Sequence, residues 1–152
     1  MVKPQRKSII FVLIVTALDT TGLGIIYPVL PQLIEDLANT DISKAATYGG
    51  WLTFAYALMQ FFFAPVLGNL SDRYGRRSVL LISLLGFTID YLFLAFAQNI
   101  IWLFIGRIIA GITGASYSVA AASIADISTD ENRTKNFGYI NAAYSSGLII
   151  GP

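Results

Sequence analysis

The sequence predicts an all-α, polytopic membrane helix bundle. Three observations carry that reading. Of 152 residues, 55% are hydrophobic and only 12% are charged, whereas a soluble domain carries about 25% charged residues. The apolar residues form long, nearly uncharged stretches, each close to the roughly 20 residues that a membrane crossing requires. The Lys and Arg residues fall in alternate connections between those stretches, the bias that orients membrane proteins.

The stretches read in order as helices. The first runs from about Ser8 to Leu33, with Asp19 its only charge. The second, from about Ala45 to Leu70, has none. The third, about Ser78 to Ala97, holds Asp90, and the fourth, about Ile100 to Ala125, holds Arg107. A fifth starts near Asn136 and is still apolar at Pro152. These segments are too long for barrel strands, which are shorter and alternate. The first is also too long for a secretory signal, and no small-residue cleavage site closes it. Pro28 and Pro31 are expected to end or kink the first helix. Ser128-Thr129-Asp130-Glu131 reads as a capping box for the fifth. The run closing at Gly151-Pro152 has no polar flank, so the sequence is expected to be a fragment of a longer membrane protein.

Orientation follows from the basic residues. Lys3, Arg6, Lys7, Arg73, Arg76, Arg77, Arg133 and Lys135 share one side, and Lys44 stands on the other among Glu35, Asp36 and Asp41. The positive-inside rule places the amino terminus in the cytoplasm. On that side, the Asn-x-Ser/Thr matches at Asn69 and Asn132 read as chance.

Composition removes several function classes. Without Cys there are no disulfide frameworks or thiolate metal sites, and without His there are no Ser-His-Asp, HExxH or imidazole-relay chemistries. No phosphate-cradling GxxxxGK[ST] loop is present, and a net charge of +1 gives no footprint for nucleic acid. No nucleophile–base or metal constellation suggests an enzyme.

Asp19, Asp90 and Arg107 remain as ionisable residues inside spans, where charge is costly and defaults to function. The third and fourth helices are joined by a turn at Gln98-Asn99, and Asp90 and Arg107 both lie roughly 12–13 Å from it. Asp19 lies roughly 17 Å in from Ser8, near the same level. Two readings stand. Asp90 and Arg107 form a buried pair that only fixes packing, or the two carboxylates and one guanidinium form a site where an acid exchanges a proton for a cationic substrate. Tyr56 and Gln60, one turn apart, either line that cavity or bond between helices.

The connection Gly68-Asn69-Leu70-Ser71-Asp72-Arg73-Tyr74-Gly75-Arg76-Arg77 resembles the most specific signature of the major facilitator superfamily, G-x-L-x-D-R-x-G-R-R. Arg107-Ile108-Ile109-Ala110-Gly111, with Gly114-Ala115, resembles that superfamily's fourth-helix pattern, with Ala110 in place of the usual Gln. Gly147-Leu148-Ile149-Ile150-Gly151-Pro152 resembles the start of its fifth-helix antiporter pattern. Within the superfamily, Leu18-Asp19 with Pro28-Val29-Leu30-Pro31, Tyr56 to Gln60, Ile89 to Leu92 and Ile124-Ala125-Asp126 resemble tetracycline/proton antiporters.

The resemblance implies the first five helices of an amino-terminal half, the fifth truncated, with the second half supplied by the rest of a parent protein. It implies a drug exporter in the lipid bilayer, with protons as coupling ion, no cofactor, and Mg2+ carried with the small-molecule substrate. Asp19, Gln60, Asp90 and Arg107 would be transport residues. Gly68, Asp72, Arg73, Gly75, Arg76 and Arg77 would form a gating loop, with Arg76 paired to Asp126. Gly147, Gly151 and Pro152 would form a hinge or a close contact. Two other readings remain: a different exporter of the superfamily, and a small membrane scaffold or partner subunit. Alone, the chain is not expected to transport.

Overall fold

A computed structural model describes residues 4–114 and 116–152, with side chains from residue 8 onward. Lys3 and Ala115, and the side chains of Arg6 and Lys7, lie outside the described residues. The elements are α1 (Pro4–Ala38), α2 (Ile42–Tyr74), α3 (Arg76–Ala95), α4 (Ile100–Thr113), α5 (Ser116–Ile127) and α6 (Arg133–Ile150). Helix α1 packs chiefly on α6, while α4 lies between α2 and α3.

Each long helix repeats one order of residues: an apolar cluster, a polar level, a second apolar cluster. The first cluster gathers Val12, Val15, Leu67, Val79, Leu80, Val119, Ala120, Ile124 and Ile140. The second gathers Ile34, Ala45, Leu52 and Leu103. Between them along the chain lie the buried polar residues Thr16, Asp19, Thr20, Ser83, Asp90 and Arg107. The threonine hydroxyls are spent locally, Thr16 donating to the Val12 carbonyl and Thr20 to the Thr16 carbonyl, both at 2.9 Å. The two carboxylates and the guanidinium therefore dominate the polar level.

The helices depart from the sequence expectations in four places. First, α1 does not stop at Pro28 or Pro31 but runs through both to Ala38. Both prolines are exposed, and the turns beyond them bury Ile34 against Leu52 and Leu103, a reward that outweighs two missing backbone bonds.

Second, the helix expected over 45–70 extends to Tyr74, so most of the supposed gating loop is helical and the chain reverses at Gly75 alone. Gly75 has φ 93°, a left-handed conformation that favours glycine. The next helix accordingly starts at Arg76 rather than near Ser78 and ends at Ala95. Asn99 then caps α4, its side-chain oxygen accepting from the Ile101 N–H at 3.0 Å.

Third, the helix expected over 100–125 is two helices. Gly114, with φ −77° and ψ 42°, leaves the helical path. The carbonyls freed there find donors on neighbouring helices: Ser83 donates to the Thr113 oxygen at 2.6 Å, and Gln60 donates to the Gly114 oxygen.

Fourth, the capping box does not form. Asn132 occupies the cap position of α6 without a side-chain cap bond. Its side chain instead accepts from the Thr129 N–H at 2.9 Å, and Asn136 donates to the Ser128 hydroxyl at 2.9 Å.

Four stretches among the described residues are long and apolar enough to cross a membrane, matching the first four expected spans: Ser8–Ala38, Ile42–Tyr74, Arg76–Ala95 and Ile100–Ile127. Helix α6 is not among them, because Lys135, Asn136, Asn141, Ser145 and Ser146 dilute it. It is held by close packing on α1. A Cβ at Gly147 would run into the Thr20 hydroxyl, and one at Gly151 would meet the Thr21 carbonyl and Gly24. Gly151 is itself helical, φ −61° and ψ −51°. Both glycines make close contact with α1 in this conformation.

Candidate functional site

Asp90 on α3 and Arg107 on α4 meet across the short reversal at residues 96–99. Arg107 Nη2 stands 2.9 Å from Asp90 Oδ2, with Asp90 fully buried and Arg107 5% exposed. Gly106 makes the approach possible, since a Cβ there would collide with Asp90 Oδ1. A pair this deep gains strong attraction but loses two hydration shells, so its value lies in being intact rather than in net stability.

Asp19 on α1 is equally buried at 5% exposure. Among the described residues its carboxylate has no ion-pair partner. Ser116, at the amino end of α5, is a polar neighbour. Tyr56 and Tyr91 lie within electrostatic reach of Asp19, Asp90 and Arg107 alike. With both acids ionised, the three charges sum to −1.

Among the described residues, a pair of cavities adjoins this level. The more polar one, of about 580 Å³, is lined by Asp19, Gln60, Tyr117, Asn141 and Tyr144, among others. A mostly apolar one of about 390 Å³ runs along Ile26, Leu30, Ile34 and Ala45 and includes Arg107. Both include Leu23, Tyr27 and Tyr56, which form the wall between them. Asp90 lines neither cavity; it sits behind Arg107. Gln60 couples Tyr56 to the α4–α5 break, donating to the Tyr56 hydroxyl at 3.3 Å and to the Gly114 carbonyl.

Tyr117, Asn141 and Tyr144 were not singled out from sequence. The Tyr117 and Tyr144 rings stand 5.5 Å apart edge to face, and the Tyr117 hydroxyl donates to Asn141 Oδ1 at 3.3 Å. The available signal was polar and aromatic residues three apart, Asn141 and Tyr144, within an apolar run.

At the bundle's other end, Arg76 collects three partners. Its Nη2 lies 2.6 Å from Asp72 Oδ1, its Nε 3.0 Å from Asp126 Oδ2, and its Nη1 donates to Ser71 Oγ at 2.7 Å. Ser71 is 1% exposed and donates onward to the Gly68 carbonyl at 2.9 Å. Sequence reading treated Ser71 as a spacer, although it sits inside the motif. Arg77 stacks over Phe11 of α1 at 4.8 Å and Arg73 over Tyr74 at 5.7 Å. The two arginines opening α3 oppose its macrodipole, and Asp72 and Asp126 offset that cost. A Cβ at Gly68 would meet nothing within 4 Å.

A helix bundle with charges buried between two apolar layers, cavities beside them and an ion-pair cluster at one end has the general arrangement of a membrane transporter. Comparison with known proteins makes this specific. The family model described as Major Facilitator Superfamily matches residues 12–152, and the chain belongs to that family. It is 49% identical over 148 residues to the class H tetracycline resistance protein of Pasteurella multocida, covering 97% of this chain and 36% of that protein. It is 50% identical over 149 residues to the class B tetracycline resistance protein of Escherichia coli, with coverages of 97% and 36%. Multidrug resistance protein 1 of Bacillus subtilis is 32% identical over 151 residues, with coverages of 97% and 38%. The chain thus spans a little over a third of the length of these relatives. The crystal structure of the human organic anion transporter MFSD10 (TETRAN) matches in fold with a TM-score of 0.81 at 24% identity, covering 98% of this chain and 41% of that one.

Proposed function

We propose that the chain is the amino-terminal part of a proton-coupled drug antiporter that exports tetracycline as its magnesium chelate. The observation that carries this reading is Asp19: a buried carboxylate without a countercharge, lining a 580 Å³ cavity. A carboxylate so placed binds either a proton or a cationic ligand, and alternation between the two is antiport. The metal travels as cargo with the drug and has no resident site in this scheme. The tetracycline assignment is supported by the names of relatives at 47–50% identity.

Asp19 and Gln60 contact substrate in the polar cavity, while Asp90 and Arg107 hold the level together and take part in proton movement. The Arg76–Asp126 contact is the cytoplasmic latch, broken and remade as the halves rock. The amino terminus and Gly75 lie on the cytoplasmic side of a bacterial inner membrane, and the second half comes from the rest of the parent protein.

A second reading, a multidrug exporter, is favoured by the aromatic lining of Tyr27, Tyr56, Tyr117 and Tyr144, which suits varied flat molecules. The test is to express the complete open reading frame containing these residues in a susceptible bacterium. Uptake of tetracycline and of unrelated drugs is then measured in everted vesicles. Tetracycline uptake that needs Mg2+ and a proton gradient supports the first reading. Uptake of unrelated drugs in preference supports the second, and no uptake of either rejects both.

A further inference from the structure

Asp90 poses a problem of access. It is fully buried and lines neither cavity, so a proton moving between it and water must cross protein. Asp19, by contrast, opens to the polar cavity. The two carboxylates stand on different helices, α1 and α3, and one hydroxyl lies where these helices touch.

That hydroxyl belongs to Tyr91, the residue after Asp90. It is buried and has no hydrogen-bond partner, although a buried hydroxyl left unpaired is costly and rare. Gly22 of α1 makes room for it, because a Cβ at Gly22 would occupy the place of the Tyr91 oxygen. Gly22 is one turn from Asp19. The charged and titratable groups around the hydroxyl are Asp19 on α1, Tyr56 on α2, Asp90 on α3 and Arg107 on α4.

We propose that the Tyr91 hydroxyl relays protons between Asp19 and the Asp90–Arg107 pair. This rests on the antiport reading above. In the relay, one aspartic acid gives its proton to the phenol oxygen while the phenol's own proton passes to the other carboxylate, directly or over water. Tyrosine is neutral before and after, one carboxyl has lost a proton and the other has gained it, and rotation of the C–O bond resets the relay. Gly22 is the partner that lets the hydroxyl reach α1.

The test uses the full-length transporter in proteoliposomes. Tyr91→Phe removes only the oxygen. The expected result is proton-driven tetracycline uptake slowed roughly tenfold or more, with a flattened pH profile and tetracycline counterflow, which moves no net proton, within about twofold of the parent. Gly22→Ala keeps the hydroxyl but displaces it, and is expected to reproduce this split. Equal loss of counterflow and uptake in Tyr91→Phe would mean a packing role and overturn the proposal, as would unchanged uptake with an unchanged pH profile. Should the parent itself accumulate drug against its concentration gradient without a proton gradient, the antiport reading fails, and that arm is read before either variant.

Discussion

Arg76 and Asp126 join the start of α3 to the end of α5 through a 3.0 Å contact between Nε and Oδ2, while the same guanidinium holds Asp72 at 2.6 Å. Both carboxylates are more than half exposed, so the network contributes at most about 1 kcal/mol to stability. In the proposed transport cycle it serves as a latch that is inexpensive to open.

That balance predicts separable effects on transport and folding. Arg76→Asp or Asp126→Arg should cut drug efflux roughly tenfold while changing unfolding free energy by no more than about 1 kcal/mol. The double swap should recover a substantial part of efflux. Efflux assays and thermal unfolding of the same purified variants check this; a double swap no better than the singles would refute the pairing as a gate.

The buried pair should behave oppositely. Removing one partner, as in Arg107→Ala, leaves Asp90 as an isolated buried charge and should cost about 3–5 kcal/mol. Asp90→Asn together with Arg107→Leu should cost less than Arg107→Ala alone. Denaturation in detergent micelles measures both.

Glycine substitutions should divide by location. Gly147→Val forces α6 off α1 at Thr20 and should destabilise by about 1–3 kcal/mol. Gly68→Ala has open space around it and should fold like the parent. Any efflux loss in Gly68→Ala would then belong to movement of the motif rather than to packing.

The break in the fourth span should depend on its distant donors. Ser83→Ala and Gln60→Leu each orphan a carbonyl at Thr113 or Gly114 and should cost about 1–3 kcal/mol apiece. Amide exchange in α5 should rise in both.

Part of this architecture is encoded locally in the sequence and part only through tertiary contacts. The long apolar stretches are local properties, so four spans were legible. The Asp90–Arg107 contact was legible because a reversal of a few residues leaves those side chains little choice of neighbour. The break at Gly114 was not, because both flanks are equally apolar and the donors that permit it, Ser83 and Gln60, are 30 and 54 residues away. Helix α1 overran Pro28 and Pro31 for the same reason: burial of Ile34 against α2 and α4 is a tertiary effect. Ser71 and Tyr91 sat beside residues that drew attention by charge, and only three-dimensional proximity to Arg76 and Gly22 gives them meaning. The capping-box motif lost to an alternative set of bonds around Asn132.

Proton-coupled export requires Asp19 to act as the exchangeable acid beside an intact Asp90–Arg107 pair. The most direct measurement is proton-driven tetracycline uptake into everted vesicles from cells expressing the full-length protein, as parent, Asp19→Asn and Asp90→Asn. Acidifying the vesicle lumen should accelerate uptake by the parent, since protons leaving toward the cytoplasmic face drive drug inward. Asp19→Asn should abolish that acceleration, and Asp90→Asn should reduce it. Full retention of pH-driven uptake by both variants would contradict the account.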